Sequence, residues 1–415
     1  MTDRHGQEAG NGREQPMDWA ARGAVARLVL GQMATQALGT AVRLGVFDRI
    51  GPDELSAEAL AGSLGTHPQA TLRLLRALAG LQLLSETEPS AFRTTTAGDA
   101  LRADTPGTMV AMARMFTDPV MLRGWDLLDE SVRTGETTFD TVFGTDFFGH
   151  LKEHPELSAS FNEAMSQGTR LTATTVPHHY DFGRFHTLVD IGGGDGTLLA
   201  SVLREHPKLR GVLFDTAEGL AQAPRACFES SAVRPEGGLG GVWCVRSQGG
   251  GSPRYWTYRG DPDNAASVRA RRRRAGGTFE TRPRRLAQEG LTERVALETG
   301  DFFASAPAGG DLYLLKSIIH DWDDERCAAI LRHIRDVVPD HGSLLIVEPV
   351  LPATVPPDQQ DNVYLSDLNM LVNVGGRERT ADDFAALCTA GGFTLRSVTP
   401  LPAPNIFQIV EASPV

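Results

Sequence analysis

Apolar residues from position 187 onward come in short runs, separated by stretches with helical spacing. Runs of this length, rich in Leu, Val, Ile and Phe and bounded by Gly, Pro or Asp, are typical of strands buried on both faces. The pattern predicts an α/β domain with a largely parallel sheet and helices on both faces. The last two runs are joined by a short Pro-containing turn, which predicts an antiparallel hairpin at the sheet edge. The predicted strands are residues 188–191, 211–215, 295–298, 312–315, 343–347, 394–398 and 407–411.

The region before the sheet, residues 20–107, follows a different pattern and predicts a separate, mostly helical domain. Apolar positions at helical spacing indicate a pair of helices. Thr66 and Gln69 form a T-x-x-Q capping box that predicts the start of the second helix. Two short strands around a polar turn, at 83–86 and 91–94, complete the outline of a winged helix.

A winged helix can bind DNA or can mediate dimerisation, and the composition of its second helix distinguishes the two functions. That helix carries Arg73 and Arg76 as its cations, among leucines that require burial. The pattern therefore favours a dimerisation and substrate-lid domain, which predicts a homodimer. A DNA-binding regulator is the alternative from another functional class.

Residues 108–180 are predicted to be helical and are rich in methionine and aromatic side chains. Most of such a stretch is core, but a few of these side chains can line a pocket for a flat acceptor molecule. Three positions beyond this stretch, between the predicted strands 343–347 and 394–398, are further candidates. The candidate acceptor residues are Trp125, Phe161, Met165, Asn369, Met370 and Asn373.

The composition narrows the functional classes. The 415 residues, 41% of them hydrophobic and 22% charged, are ordinary for a globular protein of two domains. Residues 1–19 read as a disordered tail without an apolar signal segment, and no apolar run approaches the ~18 residues of a membrane span. We therefore expect a cytoplasmic protein with no membrane partner. A net charge of −12 opposes nucleic-acid binding, and four scattered cysteines predict free thiols.

One segment, residues 227–285, interrupts the predicted domain 181–415. It contains twelve arginines, no lysine, ten glycines and very few aliphatic residues, and it shows no helix or strand period. Too little apolar surface is available to offset the entropy of ordering, so most of it is predicted to be a mobile loop. Another interpretation is that this composition comes from an out-of-frame reading of GC-rich coding DNA.

Four glycines within five positions follow the first predicted strand, in the sequence Leu-Val-Asp-Ile-Gly-Gly-Gly-Asp-Gly-Thr at 188–197. Glycine allows the backbone to pass close to a ligand, and the helix that follows presents free N–H groups. A dinucleotide loop would have G-x-G-x-x-G, whereas this loop has G-x-G-x-G from Gly192. The spacing favours S-adenosylmethionine over NAD.

Acidic residues follow later strands at positions where a doubly wound fold binds its ligand. Asp215 ends the second strand about 20 residues past the glycines, where a carboxylate can bind a ribose diol. Asp301 and Phe302 follow the third strand and are placed to bind an adenine amino group and to pack on its ring. Each aspartate could instead cap a helix.

His320 follows the fourth strand and faces the same crevice in this fold. Methyl transfer from a sulfonium to a phenol needs a base, because a protonated phenol, with a pKa of ~10, is a poor nucleophile. A histidine with an ordinary pKa of ~6.5 would be neutral and could take that proton. Glu348 and Glu378 are the candidates for a carboxylate on its other nitrogen.

Six motifs together resemble the plant caffeate-type and bacterial antibiotic-type S-adenosylmethionine-dependent O-methyltransferases. They are Val-Asp-Ile-Gly-Gly-Gly-Asp-Gly at 189–196, Phe-Asp at 214–215, Gly-Asp-Phe-Phe at 300–303, Leu-Lys-Ser-Ile-Ile-His-Asp-Trp at 315–322, Ile-Val-Glu-Pro at 346–349 and Gly-Gly-Arg-Glu-Arg-Thr at 375–380. The resemblance covers about residues 20–226 and 286–412. It implies a winged-helix-like dimerisation domain followed by a class I methyltransferase domain.

The resemblance also implies roles for individual residues. His320 would be the base, flanked by Glu348 and Glu378. The implied acceptor is a phenolic or enolic hydroxyl of a small aromatic natural product, a polyketide or antibiotic intermediate. The implied cofactor contacts are Asp190, Gly192, Gly193, Gly194, Asp215, Asp301, Phe302, Lys316 and Trp322.

The segment 227–285 departs from this family, because it separates Asp215 from Asp301 by far more residues than the family uses. If it is genuine, it could perturb the adenine side of the pocket. No metal is implied. Asp361-Asn362 resembles only weakly the carboxylate cluster of the metal-dependent catechol methyltransferases. Within the same fold, an enzyme that performs decarboxylation or hydroxylation is the alternative; the presence of all three candidate catalytic residues argues against it.

Overall fold

The computed structural model describes residues 18–222, 242–244, 255–257, 291, 293–356 and 363–415. They belong to two compact units, Met1–Asp118 and Pro119–Val415. Of the predicted tail, only positions 18 and 19 are described, and there Asp18 caps the first helix by accepting a hydrogen bond from the Ala21 N–H at 3.0 Å.

The first unit is mostly helical and has the predicted winged-helix outline. A helix pair is followed by a β-hairpin, and a third short strand completes an antiparallel sheet. Leucines of the second helix of the pair, Leu75 and Leu78, are fully buried, as their spacing predicts. The elements are α1 Trp19–Val29, α2 Gly31–Leu44, α3 Val46–Ile50, β1 Leu55–Ser56, α4 Ala57–Leu64, α5 Pro68–Gly80, β2 Leu84–Glu88, β3 Ala91–Thr94, α6 Thr96–Asp99 and α7 Val110–Phe116.

The start of α5 differs from the prediction. Its N-cap is His67, whose Nδ1 accepts a hydrogen bond from the Ala70 N–H, and no Thr66–Gln69 capping box forms. Proline favours the first helical position, since its missing N–H is not needed there, and Pro68 therefore places the cap at His67. Thr66 instead bonds the hydroxyl of Thr71 at 2.7 Å.

The second unit begins with helices and continues with alternating strands and helices. The helical region predicted at 108–180 is present, but its first helix, Val110–Phe116, belongs to the first unit. Each predicted strand is present within one to four residues at its ends. The elements are α8 Pro119–Arg123, α9 Leu128–Thr134, α10 Phe139–Phe143, α11 Phe147–Glu153, α12 Pro155–His179, β4 Thr187–Ile191, α13 Thr197–Glu205, β5 Arg210–Asp215, β6 Val242–Cys244, β7 Tyr255–Thr257, β8 Val295–Thr299, β9 Leu312–Lys316, α14 Asp324–Arg335, β10 Ser343–Leu351, α15 Val363–Asn369, a π-helix Met370–Val374, β11 Arg379–Thr380, α16 Ala381–Ala390, β12 Phe393–Pro400 and β13 Phe407–Pro414.

The main sheet has the strand order β12-β13-β10-β9-β4-β5-β8, with β11 paired to the end of β10. The five strands from β10 to β8 are parallel, and β13 runs antiparallel to both β10 and β12. One buried cluster joins the sheet to α12 and α13, and another joins its opposite face to α14 and α16. The predicted α/β class, helices on both faces and edge hairpin are therefore confirmed. The carboxyl ends of β4, β5, β8, β9 and β10 form one edge, where the site lies.

Two short strands lie inside the segment 227–285. β6 and β7 pair antiparallel with Trp243 opposite Trp256, so the prediction that the segment contains no strand is wrong at these positions. Both runs contain residues that favour strands, namely Val, Trp, Tyr and Thr. The rest of this segment, where a loop is predicted, lies outside the described residues.

Cys327 and Cys388 are buried free thiols, as predicted. Cys227 and the side chain of Cys244 lie outside the described residues, as does Asp361-Asn362. Among the helices that the structure describes, none combines the length and hydropathy required to cross a membrane.

Candidate functional site

The glycine loop connects β4 to α13 at the carboxyl edge of the sheet. Gly192 has φ +68°, and its N–H donates to the Phe214 carbonyl at 2.7 Å. A Cβ on Gly192 would overlap the side chain of Ile318 and lie 3.8 Å from the ring of Phe302. Glycine is thus required here by both backbone conformation and space. The contact also places the loop directly against the segments that carry Asp301 and His320.

Two carboxylates lie beneath this loop. Asp190 is 2% exposed, and its Oδ2 has no hydrogen-bond partner. Burial, together with the nearby charge of Asp215, raises the pKa of Asp190 to about 7. Asp215 accepts a hydrogen bond from the Gly194 N–H at 2.8 Å, and burial raises its pKa as well. A buried polar atom without a partner usually marks a position that a ligand or water completes.

Asp215 and Asp301 come together even though the segment 227–285 lies between them in the sequence. β5 and β8 are paired with Asp215 opposite Thr299, and the Gly300 N–H donates to the Asp215 carbonyl at 3.0 Å. Asp301 is exposed and accepts a hydrogen bond from the Phe303 N–H at 2.8 Å. Asp301 therefore bonds the turn that follows β8 and caps no helix, and its role as a ligand contact stays a prediction.

Lys316 and Trp322 lie on either side of the turn that carries His320. The Lys316 ammonium donates to the Thr169 hydroxyl at 3.1 Å, and burial lowers its pKa to about 8. The Trp322 indole N–H is buried without a partner, and its ring stacks on Phe148 with centroids 5.1 Å apart.

Helix α12 contacts the glycine loop through polar side chains that sequence reasoning missed. The Ser166 hydroxyl donates to Asp195 Oδ2 at 2.7 Å, and Thr169, one turn later, receives the bond from Lys316. Their spacing of three residues places both hydroxyls on one helix face, and this spacing was the only sequence feature that could have identified them. Their partners could not be named without the tertiary fold.

His320 lies in a 3₁₀ turn, Ile319–Asp321, which follows β9. Ser317 redirects the chain with φ +54°, a strained conformation for a residue other than glycine. As a result, three successive N–H groups, those of Ile318, Ile319 and His320, converge on Glu348 Oε1 at 3.0, 2.7 and 3.2 Å. Glu348 is 1% exposed and binds the backbone of the turn.

The imidazole itself is bonded to Glu378. Nδ1 of His320 lies 3.2 Å from Glu378 Oε1, and the Glu378 side chain is fully buried. Of the two acids considered for this position, Glu378 therefore holds the ring. Nε2 remains directed to the other side, 3.7 Å from Asp321 Oδ1.

The charge of His320 differs from the prediction. Burial lowers its pKa, but Asp321, Glu348 and Glu378 outweigh this and raise it to about 10. These carboxylates therefore favour the protonated imidazole, whereas the prediction started from an unperturbed, neutral one. Asp321 is itself perturbed, since burial raises its pKa to about 7. Its contribution was missed, although it is adjacent to His320 in the sequence.

The candidate acceptor residues fall into two groups. Phe161 packs against Phe148 with centroids 6.4 Å apart, and Phe148 in turn stacks on Trp322 near His320. Met165 is half-buried one turn further along α12.

The second group surrounds the π-helix that begins at Met370. Asn373 donates to Asn369 Oδ1 at 2.9 Å, and its own Oδ1 is buried without a partner. Gly124, which precedes the half-buried Trp125, packs so closely on Asn373 that a Cβ would overlap the amide. An unpaired amide oxygen beside a π-helix is a feature often found where ligands bind.

Among the described residues, one set of side chains has ligand atoms close enough to share a metal ion. His320, Glu348 and Glu378 each offer one atom within 4.8 Å of the others. However, Glu348 Oε1 already accepts three backbone N–H bonds, and Glu378 Oε1 bonds the imidazole. The observed contacts hold the imidazole and the backbone of its turn against two buried acids.

Two family models match the chain. The description "O-methyltransferase dimerisation domain" applies to residues 26–104, and "O-methyltransferase domain" applies to residues 125–238 and 278–394. The residues between the two matched parts of the O-methyltransferase domain, 239–277, lie within the segment 227–285.

Individual proteins match over nearly the whole chain. An O-demethylpuromycin-O-methyltransferase of Streptomyces alboniger is 40% identical over 97% of this chain and 92% of its own length. A phenazine O-methyltransferase of Lysobacter antibioticus is 36% identical over 94% of this chain and 95% of its own. The structure of an O-methyltransferase from neocarzinostatin biosynthesis, in complex with S-adenosylmethionine and 2-hydroxy-5-methyl naphthoic acid, superposes with a TM-score of 0.66 at 27% identity, covering 92% of this chain and 96% of the other.

Proposed function

Since the chain belongs to the O-methyltransferase family, we propose that it transfers a methyl group from S-adenosylmethionine to a phenolic or enolic hydroxyl of a small aromatic natural product, with His320 as the base. The observation that carries the proposal is the hydrogen bond between His320 Nδ1 and Glu378, which leaves Nε2 for the acceptor. The relatives named for puromycin, phenazine and naphthoic acid chemistry support an aromatic acceptor of this kind.

The glycine-loop side of the site is suited to the methyl donor. Gly192, Gly193 and Gly194 provide the close backbone surface, and the unpartnered Asp190 Oδ2 offers a buried acceptor. S-adenosylmethionine, when bound, supplies an electrophilic methyl group on a positively charged sulfonium. This positive charge would also lower the pKa of a nearby imidazolium. The other proposed contacts are Asp215, Asp301, Phe302, Lys316 and Trp322.

His320 controls the proton of the acceptor hydroxyl. A phenol has a pKa of ~10, close to the value of about 10 for His320. Once the pair of His320 and phenol has lost one proton to solvent, the matched pKa values allow the remaining proton to lie on either the oxygen or Nε2 at little cost, so a nucleophilic oxygen can form beside an imidazolium. Glu378 keeps the ring oriented through Nδ1 while the proton moves at Nε2. The overall reaction releases one proton, which His320 passes to solvent.

We also propose that the reaction needs no metal ion. The Oε1 atoms of Glu348 and Glu378 are already bonded within the protein, although Glu378 Oε2 is not, and the proton-transfer route needs no Lewis acid. Turnover should be unchanged by prolonged treatment with a strong chelator. A loss that added Mg²⁺ or Zn²⁺ restored would overturn this part of the proposal.

The chain is proposed to act as a homodimer through its first unit. Apolar side chains along α1 and the start of α2 are exposed, and the family model for this region describes a dimerisation domain. They are Trp19 at 73%, Leu28 at 81%, Val29 at 72%, Leu30 at 52% and Met33 at 68% exposed. Exposed apolar groups of this density usually mark an interface. Analytical ultracentrifugation of Leu28→Lys should give monomers, whereas a dimer unchanged in this variant would argue for another interface.

The DNA-binding alternative has little support in the first unit. Arg76, one of two cations on α5, is paired with Glu86 at 2.9 Å. A gel shift with mixed genomic DNA fragments should show no complex at physiological salt.

The first test is calorimetric titration with S-adenosylhomocysteine, followed by a screen of hydroxylated phenazines, naphthoates and quinones with labelled S-adenosylmethionine. Micromolar binding with transfer to at least one acceptor is expected. Binding that appears only in a variant lacking residues 227–285 would locate a defect in that segment. Absence of binding in both chains would overturn the proposal.

The intact mass of the natively produced protein decides whether the segment 227–285 is genuine.

A further inference from the structure

Arg379 is the bulkiest fully buried side chain in the described part of the chain, at 1% exposed. It follows Glu378 directly and begins β11, where it lies opposite Val350 at the end of β10. A guanidinium stays charged at any pH the protein meets, so its burial is costly unless every N–H group has a partner. The partners of Arg379 therefore indicate why it is there.

Its N–H groups bind the backbone on both sides of His320. Nη1 donates to the Ile319 carbonyl at 2.8 Å, and Nη2 donates to the Trp322 carbonyl at 2.9 Å. These two carbonyls bracket His320 and Asp321. Nε and Nη2 also donate to Asp324 Oδ1 at 3.0 and 2.7 Å, which orients the guanidinium plane.

The turn is consequently held from two directions. Glu348 binds its N–H groups, and Arg379 binds its carbonyls. Gly376 packs directly against the turn, so closely that a Cβ at this position would overlap the His320 carbonyl oxygen. The strained conformation of Ser317 persists only if such contacts over-determine the turn.

We propose that Arg379 is a positioning residue for methyl transfer, fixing the Ile319–Trp322 backbone so that the His320 imidazole is held in line between Glu378 and the acceptor oxygen. The inference rests on the proposed function. It does not make Arg379 a catalytic residue, since its contacts are with the turn and with Asp324. A displacement of the base by about 1 Å is enough to slow a reaction on the order of 10²-fold.

The test compares Arg379→Lys with Arg377→Gln. Arg377 is a matched control because it also binds Asp324, through Oδ2 at 2.9 Å, but its side chain is 44% exposed. Arg379→Lys keeps the charge and loses the planar set of donors. Its kcat should fall on the order of 10²-fold, while the Kd for S-adenosylhomocysteine changes less than about twofold and Arg377→Gln matches wild type. Asp324→Asn, which retains Arg379 without its orienting charge, should give an intermediate loss.

A second readout does not depend on turnover. The imidazole resonances of His320, assigned by comparison with His320→Ala, should broaden and titrate at lower pH in Arg379→Lys, and should be unchanged in Arg377→Gln. A purely structural role would lower the melting temperature while leaving the kcat of the folded fraction and the His320 titration at wild-type values, and that result would overturn the inference. If wild type transfers no methyl group, the proposed function fails, and the His320 titration still decides the role of Arg379.

Discussion

On the His320 side of the proposed active site, three buried side chains bond the turn that carries the imidazole, whereas on the glycine-loop side a buried carboxylate oxygen stays open. The side chains around the turn are not all satisfied, since Glu378 Oε2 and Trp322 Nε1 have no partner. The turn at 319–321 is bonded through Glu348, Glu378 and Arg379. The glycine loop, by contrast, lies over Asp190, whose Oδ2 has no partner.

This difference separates two requirements of the reaction. A base must already point correctly when the acceptor arrives, because misplacement costs rate. A cofactor site can leave hydrogen bonds for its ligand, because unsatisfied buried groups then contribute to affinity. Substitutions on the two sides should therefore act on different kinetic constants.

The largest effect is expected for His320→Ala. Loss of a general base should lower kcat by ~10²- to 10⁴-fold, with the calorimetric Kd for S-adenosylhomocysteine nearly unchanged. His341→Ala, which removes an exposed histidine before β10, is the control. A turnover close to wild type in His320→Ala would remove His320 from the mechanism.

The pH dependence should also be steep. The pKa of His320 is raised to about 10, so free enzyme and free phenol both carry a proton at pH 7. One of these protons must be lost for reaction, and kcat/KM should therefore rise about tenfold per pH unit, roughly 10²-fold from pH 7 to 9. In Glu378→Gln, removal of a negative neighbour lowers the pKa of His320, and the rise should move to lower pH. A profile that is flat above pH 7 in wild type would contradict the protonated imidazole.

A smaller effect, confined to the cofactor, is expected for Asp215→Ala. A hydrogen bond to a charged group contributes ~1.5–3 kcal/mol, which corresponds to about 10- to 150-fold weaker binding of S-adenosylhomocysteine. At saturating donor, kcat should stay within about threefold of wild type if the two sides are independent. Asp340→Ala, at an exposed carboxylate, should change neither constant. An equal fall in kcat would show that the two sides are coupled.

The smallest effect is expected for Phe148→Leu, which removes the ring stacked on Trp322. Such a pair contributes ~0.5–1.5 kcal/mol. Because Phe148 also packs on the candidate acceptor residue Phe161, the KM for the acceptor should rise about 2- to 10-fold, with a smaller change in donor binding through Trp322. Phe116→Leu, at a half-exposed ring in the first unit, is the control. A change in the Kd for S-adenosylhomocysteine larger than that in the acceptor KM would place Phe148 on the cofactor side.

The sequence predicted the strands, the glycine loop and the residues at the strand ends. Buried parallel strands are recognisable as short apolar runs, and their carboxyl ends lie at the edge of the sheet where ligands bind. It did not predict the charge of His320, which depends on three carboxylates that approach from separate elements. Nor did it predict that Glu348 binds backbone while Glu378 binds the imidazole, since local sequence does not show which of two distant acids reaches Nδ1 of His320. No role was predicted for Arg379 itself, and only the fold shows that its donors meet the Ile319 and Trp322 carbonyls. The capping box at Thr66 failed for a local reason, the preference of Pro68 for the first helical position.

The position of β13 has a consequence for the order in which the active site can be assembled on the ribosome. β13 is synthesised after β10 and β12, yet it lies between them, with Gln408 opposite Glu348. Folding during synthesis proceeds from the N-terminal side, so β4, β5, β8 and β9 can pair while β10 still has an open edge. The glycine loop can therefore form on a nascent chain, whereas the strand that carries Glu348 gains its second neighbour only once residues 407–414 have emerged. Nascent chains of this protein should acquire donor binding before they acquire a functional base.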